Sequence, residues 1–174
     1  MRVLIVDGYN AIHAWSDLRR LIDSHDLEEA RRQFIAALAD YAGASGVEVT
    51  VVFDAHTSSG EPSQETVDGV TVRFGTKTQT ADHIIERLAY AACRNGPARD
   101  IVVATSDRLQ AGLVMNMGVA TMSAGALEAE IRSVAKDRSG ESRRGGGTTG
   151  KFRRVEDQLD PAVRERLERL RRGE

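Results

Sequence analysis

Short runs of β-branched apolar residues alternate along this chain with longer stretches in which apolar residues recur every three or four positions. The short runs predict five strands, at Val3–Val6, Val47–Phe53, Val70–Phe74, Ile101–Ala104 and Val119–Met122. Helical stretches between buried strands are typical of an α/β domain with a mainly parallel sheet, because the helices return the chain to the start of the next strand.

The stretches of helical period predict five helices before residue 136. Thr80 is the predicted N-cap of the helix that begins at Ala81, and Gly43 and Gly46 are expected to end the helix that begins at Leu27. The stretch Ala55–Gly69, rich in Ser, Gly, Pro and acidic residues, predicts an exposed loop. The predicted helices span Asp17–Leu21, Leu27–Tyr41, Ala81–Cys93, Arg108–Met117 and Ala126–Ala135.

The composition changes after Ala135. Lys136–Arg154 holds seven basic residues, two acidic ones and a run of three glycines, so it has almost nothing to bury and is expected to be flexible. Asp160–Pro161 is a helix-start signal, followed by an apolar stripe. We therefore predict a domain over residues 1–135, a flexible basic segment over 136–158 and a C-terminal amphipathic helix over 159–174.

Length and composition exclude several classes of protein. The chain has 174 residues, of which 41% are hydrophobic, which suits one domain with an appended helix. One cysteine, Cys93, excludes a disulfide scaffold, and four scattered histidines give no zinc motif. The apolar run Val3–Val6 is too short for a signal peptide or a membrane span, so we expect a cytoplasmic protein without membrane contact.

The net charge of −2 hides two opposed regions. Residues 1–131 carry a net charge of −7, and residues 132–174 carry +5. The basic segment, with Lys151, Arg153 and Arg154, suits the phosphates of a nucleic acid. An equally good interpretation is a solvated linker to the last helix.

Acidic residues follow the predicted strands at equivalent positions. Asp7, Asp54 and Asp107 come at or soon after strand ends, and Asp82 opens a helix. The carboxyl ends of parallel strands share one edge of a sheet, so these carboxylates should converge there. Two like charges about 4 Å apart repel by roughly 4 kcal/mol at an effective dielectric near 20, so such a cluster calls for a cation. Each acid alone is explained as well by a turn or a helix cap, but four at equivalent positions are not.

Polar residues near these acids have two interpretations each. Asn10, Thr80 and Ser106 could orient a ligand or donate hydrogen bonds to phosphate, or they could serve as turn and cap residues. Glu86, one helical turn after the helix-opening acid, could assist the site or be solvated. Trp15 could stack on a base or pack in the core.

Four blocks of sequence, in order, resemble a known family. They are VLIVDGYNAI at 3–12, VVFD at 51–54, TADHIIE at 80–86 and VVATSD at 102–107, and the ending Leu159–Gly173 is similar as well. Together they resemble the YacP-like group of NYN domains, within the PIN-like nucleases. The resemblance covers nearly the whole chain, and the glycine-rich stretch Ser139–Gly150 departs from it.

The resemblance implies a PIN-like three-layer α/β/α fold and a metal-dependent endoribonuclease using Mg²⁺ or Mn²⁺. Asp7, Asp82 and Asp107 match the acidic metal-site residues of the family, Asp54 matches less closely, and Asn10 and Ser106 match the flanking polar positions. The implied substrate is single-stranded RNA, with messenger RNA on the ribosome as one candidate. The sequence indicates no oligomeric state.

Two other functions compete with hydrolysis of RNA by water at these acids. A phosphatase of the haloacid dehalogenase type would need a second Asp two residues after Asp7, where this chain has Tyr9. A non-catalytic RNA-binding or ribosome-docking protein on a degenerate nuclease fold fits the same sequence, because residues alone do not show that a metal binds.

Overall fold

A computed structural model describes residues 2–55 and 63–141 of the chain. Its centre is a six-stranded sheet in the order β3-β4-β2-β1-β5-β6. All neighbouring strands are parallel except β3 and β4, which are antiparallel. The strands are β1 (Val3–Asp7), β2 (Glu48–Phe53), β3 (Ser63–Val67), β4 (Val70–Phe74), β5 (Ile101–Ala104) and β6 (Ala120–Met122).

Six α-helices within the described residues cover the two faces of this sheet. Helices α1, α2, α3 and α6 pack on one face, where Phe34 and Leu38 of α3 are fully buried, and helices α4 and α5 pack on the other face. The three-layer α/β/α architecture is therefore confirmed. The helices are α1 (Gly8–Ala14), α2 (Ser16–Asp23), α3 (Leu27–Ser45), α4 (Ala81–Asn95), α5 (Arg108–Met115) and α6 (Ala124–Glu141).

The predicted strands are all present, but the sequence interpretation omitted β3. The stretch 55–69 was expected to be a loop, and Ser63–Val67 within it pairs with β4 instead. Asp68 and Gly69 have φ angles of 48° and 85°, the left-handed conformation of a two-residue hairpin turn. Because β3 is an edge strand with mostly exposed residues, it lacks the apolar alternation of a half-buried strand.

The helix ends also differ from expectation. Gly43 lies inside α3, and Gly46, with a φ of 66°, is the residue that caps it. Helix α6 continues through Glu141, so residues 136–141, which were expected to be flexible, are helical. The rest of the predicted basic segment and the predicted helix at 159–174 lie outside the described residues. Within the described part of the chain, no helix is long and apolar enough to cross a membrane.

Helix α1 is the other element that the sequence interpretation omitted. It begins at Gly8, directly after β1, and its N-terminus lies against the ring of Phe53. A Cβ atom at position 8 would collide with that ring, so glycine is required for this close approach. Because Gly8 directly follows Asp7, the same contact helps to fix the position of Asp7 at the end of β1.

We predict that Gly8→Ala lowers the free energy of unfolding by about 1–3 kcal/mol, because the added methyl group overpacks the Phe53 ring. Gly43→Ala is the matched control. A Cβ atom there enters open space in an exposed part of α3, so it should raise the free energy of unfolding by about 0.5–1 kcal/mol. Urea denaturation of both variants measures the difference, and equal effects would contradict the proposed packing constraint.

Candidate functional site

Three central strands deliver acidic residues to one edge of the sheet. Strand β1 lies between β2 and β5, and it ends at Asp7. Asp54 directly follows β2, and Asp107 lies three residues beyond the end of β5. Asp82 reaches the same edge from the first turn of α4. The convergence expected from the sequence pattern is therefore present at the level of the fold.

Helix N-termini hold two of these carboxylates. Asp7 is the N-cap of α1, and its Oδ1 atom accepts a hydrogen bond from the backbone N–H of Asn10 at 3.2 Å. Asp107 is the N-cap of α5 and accepts from the N–H groups of Leu109 and Gln110 at 2.7 and 3.2 Å. The partial positive charge of a helix N-terminus stabilises a carboxylate there, so capping and clustering act together.

The other two carboxylates connect separate elements. Oδ1 of Asp54 accepts a hydrogen bond from the backbone N–H of Ala81 at 2.6 Å, which ties the start of α4 to the end of β2. Oδ1 of Asp82 accepts from Nε2 of Gln110 at 2.5 Å, which ties α4 to α5. Both acids are thus held in place by contacts between residues far apart in sequence.

Burial and mutual repulsion disturb the ionisation of this cluster. Burial, followed by the charges of Asp82, Asp54 and Asp107, raises the pKa of Asp7 from 3.8 to about 6, against the lowering effect of its hydrogen bond from Asn10. The pKa of Asp82 is raised by partial burial and by the charges of Asp107 and Asp54. Asp7 is half-buried, whereas the other three carboxylates are open to solvent. The cluster therefore consists of one half-buried carboxylate and three carboxylates that solvent can reach.

Most of the polar residues predicted near the acids form hydrogen bonds with backbone groups. Oδ1 of Asn10 accepts from the backbone N–H of Ser106 at 2.8 Å, and Oγ of Ser106 accepts from the N–H of Ala124 at 3.2 Å. Thr80 caps α4 through a hydrogen bond from the N–H of His83. Trp15 is buried in the core and donates from Nε1 to the carbonyl of Ala124 at 2.9 Å.

Gln110 is a site residue that the sequence interpretation missed. Its side chain is 4% exposed, and its Oε1 atom is buried without a hydrogen-bond partner in the described residues. Gln110 lies four residues before Val114, which is buried on the same face of α5. A polar residue at a position where the helical period predicts an apolar one was therefore the sequence signal for a role of Gln110 in the site. Predicted phosphate contacts at Lys151, Arg153 and Arg154 lie outside the described residues.

A hard divalent cation fits the chemistry of this donor set. All four acids offer carboxylate oxygens, and a cation would favour the charged form of Asp7, whose pKa is raised first by burial and then by the charges of the other three acids. Among residues 2–55 and 63–141, no three Asp, Glu, His or Cys side chains are arranged to hold one ion between them. The arrangement therefore suits Mg²⁺ or Mn²⁺ held through one or two carboxylates and water, rather than a closed cage.

A small pocket of about 120 Å³ is lined by two of the four acids, Asp82 and Asp107, and not by Asp7 or Asp54. It lies between α4 and α5 and is lined by Asp82, Glu86, Asp107, Leu109, Gln110, Leu113 and Val114. Larger cavities lie elsewhere, such as one of about 470 Å³ between α3 and α6, and that cavity contains none of the four acids. The acids and the small pocket are thus the chemically distinctive part of the described surface.

We predict that Asp7→Asn raises the free energy of unfolding by about 1–3 kcal/mol at pH 7.5 in chelator. The folded-state pKa of Asp7 lies above its ordinary value, so stability is lost as pH rises from about 4 to about 6 and the loss persists at neutral pH. Asparagine caps a helix as well as aspartate does, so the cap survives.

At pH 4, urea denaturation should show little difference between Asp7→Asn and the unchanged protein. The control Asp40→Asn, at an exposed position of α3, should stay within about 0.5 kcal/mol at both pH values. A destabilised Asp7→Asn protein at pH 7.5 would contradict the cost inferred for the buried and repelled charge of Asp7.

Comparison with known proteins agrees with the fold and with the sequence blocks at its acidic edge. The family model for the YacP-like NYN domain matches residues 4–172 of this chain. The protein YacP of Bacillus subtilis (strain 168) is 39% identical over 136 residues, which cover 78% of each chain.

Two crystal structures of Rae1 (YacP) from Bacillus subtilis, one of them a single-substitution variant, are similar to this structure. The variant superposes with a TM-score of 0.66 at 32% identity, covering 95% of this chain and 98% of its own. The other superposes with a TM-score of 0.67 at 35% identity, covering 99% and 96%. This chain therefore belongs to the YacP-like NYN domain family, which is of the PIN-like nuclease type.

Proposed function

We propose that this protein is a metal-dependent endoribonuclease that hydrolyses phosphodiester bonds in single-stranded RNA. The observation that carries the proposal is the convergence of Asp7, Asp54, Asp82 and Asp107 at one edge of a nuclease-type fold, where burial and then the charges of the other three acids raise the pKa of Asp7. Messenger RNA on the ribosome is one candidate substrate.

Asp7, Asp82 and Asp107 would provide the carboxylates for Mg²⁺ or Mn²⁺, one or two of them directly and the rest through water, with Asp54 close to the ion. The bound cation would supply activation of the attacking water and stabilisation of the leaving oxygen. The residues of the chain would hold these carboxylates in position. Gln110 orients Asp82, and the hydrogen bond from Ser106 to Asn10 keeps the segments after β1 and β5 together. Because three of the four carboxylates are open to solvent, a phosphate can approach them from outside the fold.

Lys151, Arg153 and Arg154 are proposed to contact RNA phosphates. They belong to the region 132–174, whose net charge of +5 contrasts with the −7 of the rest. An acidic site repels a polyanion, so affinity for RNA needs a positive region elsewhere on the chain.

The competing function is RNA binding or ribosome docking without cleavage. The observation that favours it is the lack, among the described residues, of three side chains placed to hold one ion directly. An open site completed by water and by the phosphates of the substrate accounts for the same observation, and it also explains why four acids gather at this edge.

We predict that the unchanged protein cleaves single-stranded RNA with Mg²⁺ or Mn²⁺ and loses this activity in chelator. Asp7→Asn should lower the cleavage rate by more than the 10- to 100-fold typical of losing an outer-shell partner of a metal ligand. Asp40→Asn is the matched control and should cleave normally. The assay is gel analysis of labelled RNA with and without ribosomes, and intact RNA in every arm would support the non-catalytic alternative.

We also predict that replacing Lys151, Arg153 and Arg154 with Gln weakens RNA binding and its dependence on salt. Each phosphate contact to a single strand contributes about 0.7 to the slope of log K against log salt, so the slope should fall by about 2. Fluorescence anisotropy from 50 to 300 mM KCl, in chelator, measures it. An unchanged slope would assign the segment the role of a linker.

A further inference from the structure

An apolar wall borders the acidic pocket between α4 and α5. Leu109 and Leu113 lie four residues apart on α5, with 81% and 53% of their surface exposed, and both line the pocket. A single exposed leucine is ordinary on a protein surface. Two on one helix face, beside the carboxylates of the proposed catalytic site, form a surface whose position requires an explanation.

The opposite side of this pocket consists of hydrogen-bond acceptors. Asp82, Glu86 and Asp107 contribute carboxylates, and no Lys or Arg is among the described residues that line it. The Glu86 side chain has no hydrogen bond or ion pair to another described residue. Gln110, nearly fully buried, adds an amide whose Oε1 atom has no hydrogen-bond partner among the described residues. Such a surface repels phosphate and accepts a neutral group that donates hydrogen bonds.

We propose that this pocket is a subsite for one unpaired base of the RNA substrate, next to the phosphate that is cleaved. A base combines an apolar face, which would cover Leu109 and Leu113, with N–H donors on its edge, which would reach Glu86. The subsite favours bases with an exocyclic amino group over uracil, because the polar side of the pocket offers acceptors. The inference rests on the proposed RNA cleavage and adds to it the group that the enzyme recognises.

The location of the wall supports a base over a folded partner. The pocket volume of about 120 Å³ is small, and it is continuous with the acids through Asp82 and Asp107, which line it. In single-stranded RNA, bases project beside the backbone and are free to leave the stack. A strand whose phosphate lies at the carboxylates therefore brings a base to the leucines.

The test combines the double variant Leu109→Ala/Leu113→Ala with RNAs in which one nucleotide near the cleavage point lacks its base. On intact RNA the double variant should raise KM about tenfold and change kcat less than twofold. On the RNA that is abasic at the recognised position, the unchanged protein should show the same loss and the double variant no further loss. Met115→Ala is the matched control, because Met115 is an exposed residue of α5 that does not line the pocket.

Glu86→Gln provides the second measurement. It should reduce the preference for cytosine over uracil at that position, because an amide also donates to the O4 atom of uracil. Glu65→Gln, at an exposed position of β3, is its control. An unchanged preference would overturn the role of Glu86 in base recognition.

Several outcomes would overturn the subsite. They are no loss in the double variant, an equal loss on intact and abasic RNAs at every position, and an equal loss in Met115→Ala. A dimer that the double variant converts to a monomer in light scattering would assign the leucines to a self-interface. If the protein binds RNA without cutting it, the proposed function fails, and the same comparison is made on Kd by anisotropy in chelator. The comparison of Kd values then decides whether the pocket is a base subsite.

Discussion

Repulsion among four carboxylates at one edge of the sheet is the constraint on which this structure depends. The parallel arrangement of β2, β1 and β5 brings their carboxyl ends together, and each of these ends carries an acid. Burial of the Asp7 charge, and after it the repulsion from the other three acids, opposes folding, because both raise the pKa of Asp7. A stable fold must offset it with fixed favourable interactions at the same edge.

Those interactions come from backbone donors and neutral side chains. The N-terminal N–H groups of α1 and α5 bond to Asp7 and Asp107, and the N–H of Ala81 bonds to Asp54. Gln110 bonds to Asp82 without bringing a positive charge. Amide donors hold the carboxylates in position and leave their net charge in place, so that this charge would be available to the proposed cation.

The proposed functions use different parts of one continuous surface. The carboxylates attract a cation and through it a phosphate, whereas the wall of Leu109 and Leu113 offers contact to a base. The basic C-terminal region would supply the long-range attraction that the acidic body lacks. This division explains why the overall charge of −2 gives so little information.

Much of this protein could be predicted from the sequence alone. Continuous runs of apolar β-branched residues and stripes of period three to four indicated the α/β class, and the positions of Asp7, Asp54, Asp82 and Asp107 relative to the strands indicated where they converge. Local signals decide such features, because strand ends and helix caps depend on neighbouring residues. The Asp68-Gly69 turn was also a local signal for β3, but the exposed residues of this edge strand obscured it.

Other features were decided only by the tertiary structure. Helix α1 follows β1 without a loop because Gly8 lets the backbone approach Phe53, 45 positions later in the sequence. Gln110 reaches Asp82 across 28 residues, and Asn10 reaches Ser106 across 96. The pKa of Asp7 depends on burial and on charges delivered by three other segments. Sequence determined which groups this protein carries and at which strand ends, whereas packing decided their distances, their burial and therefore their electrostatics, because those quantities depend on residues that only the fold brings together.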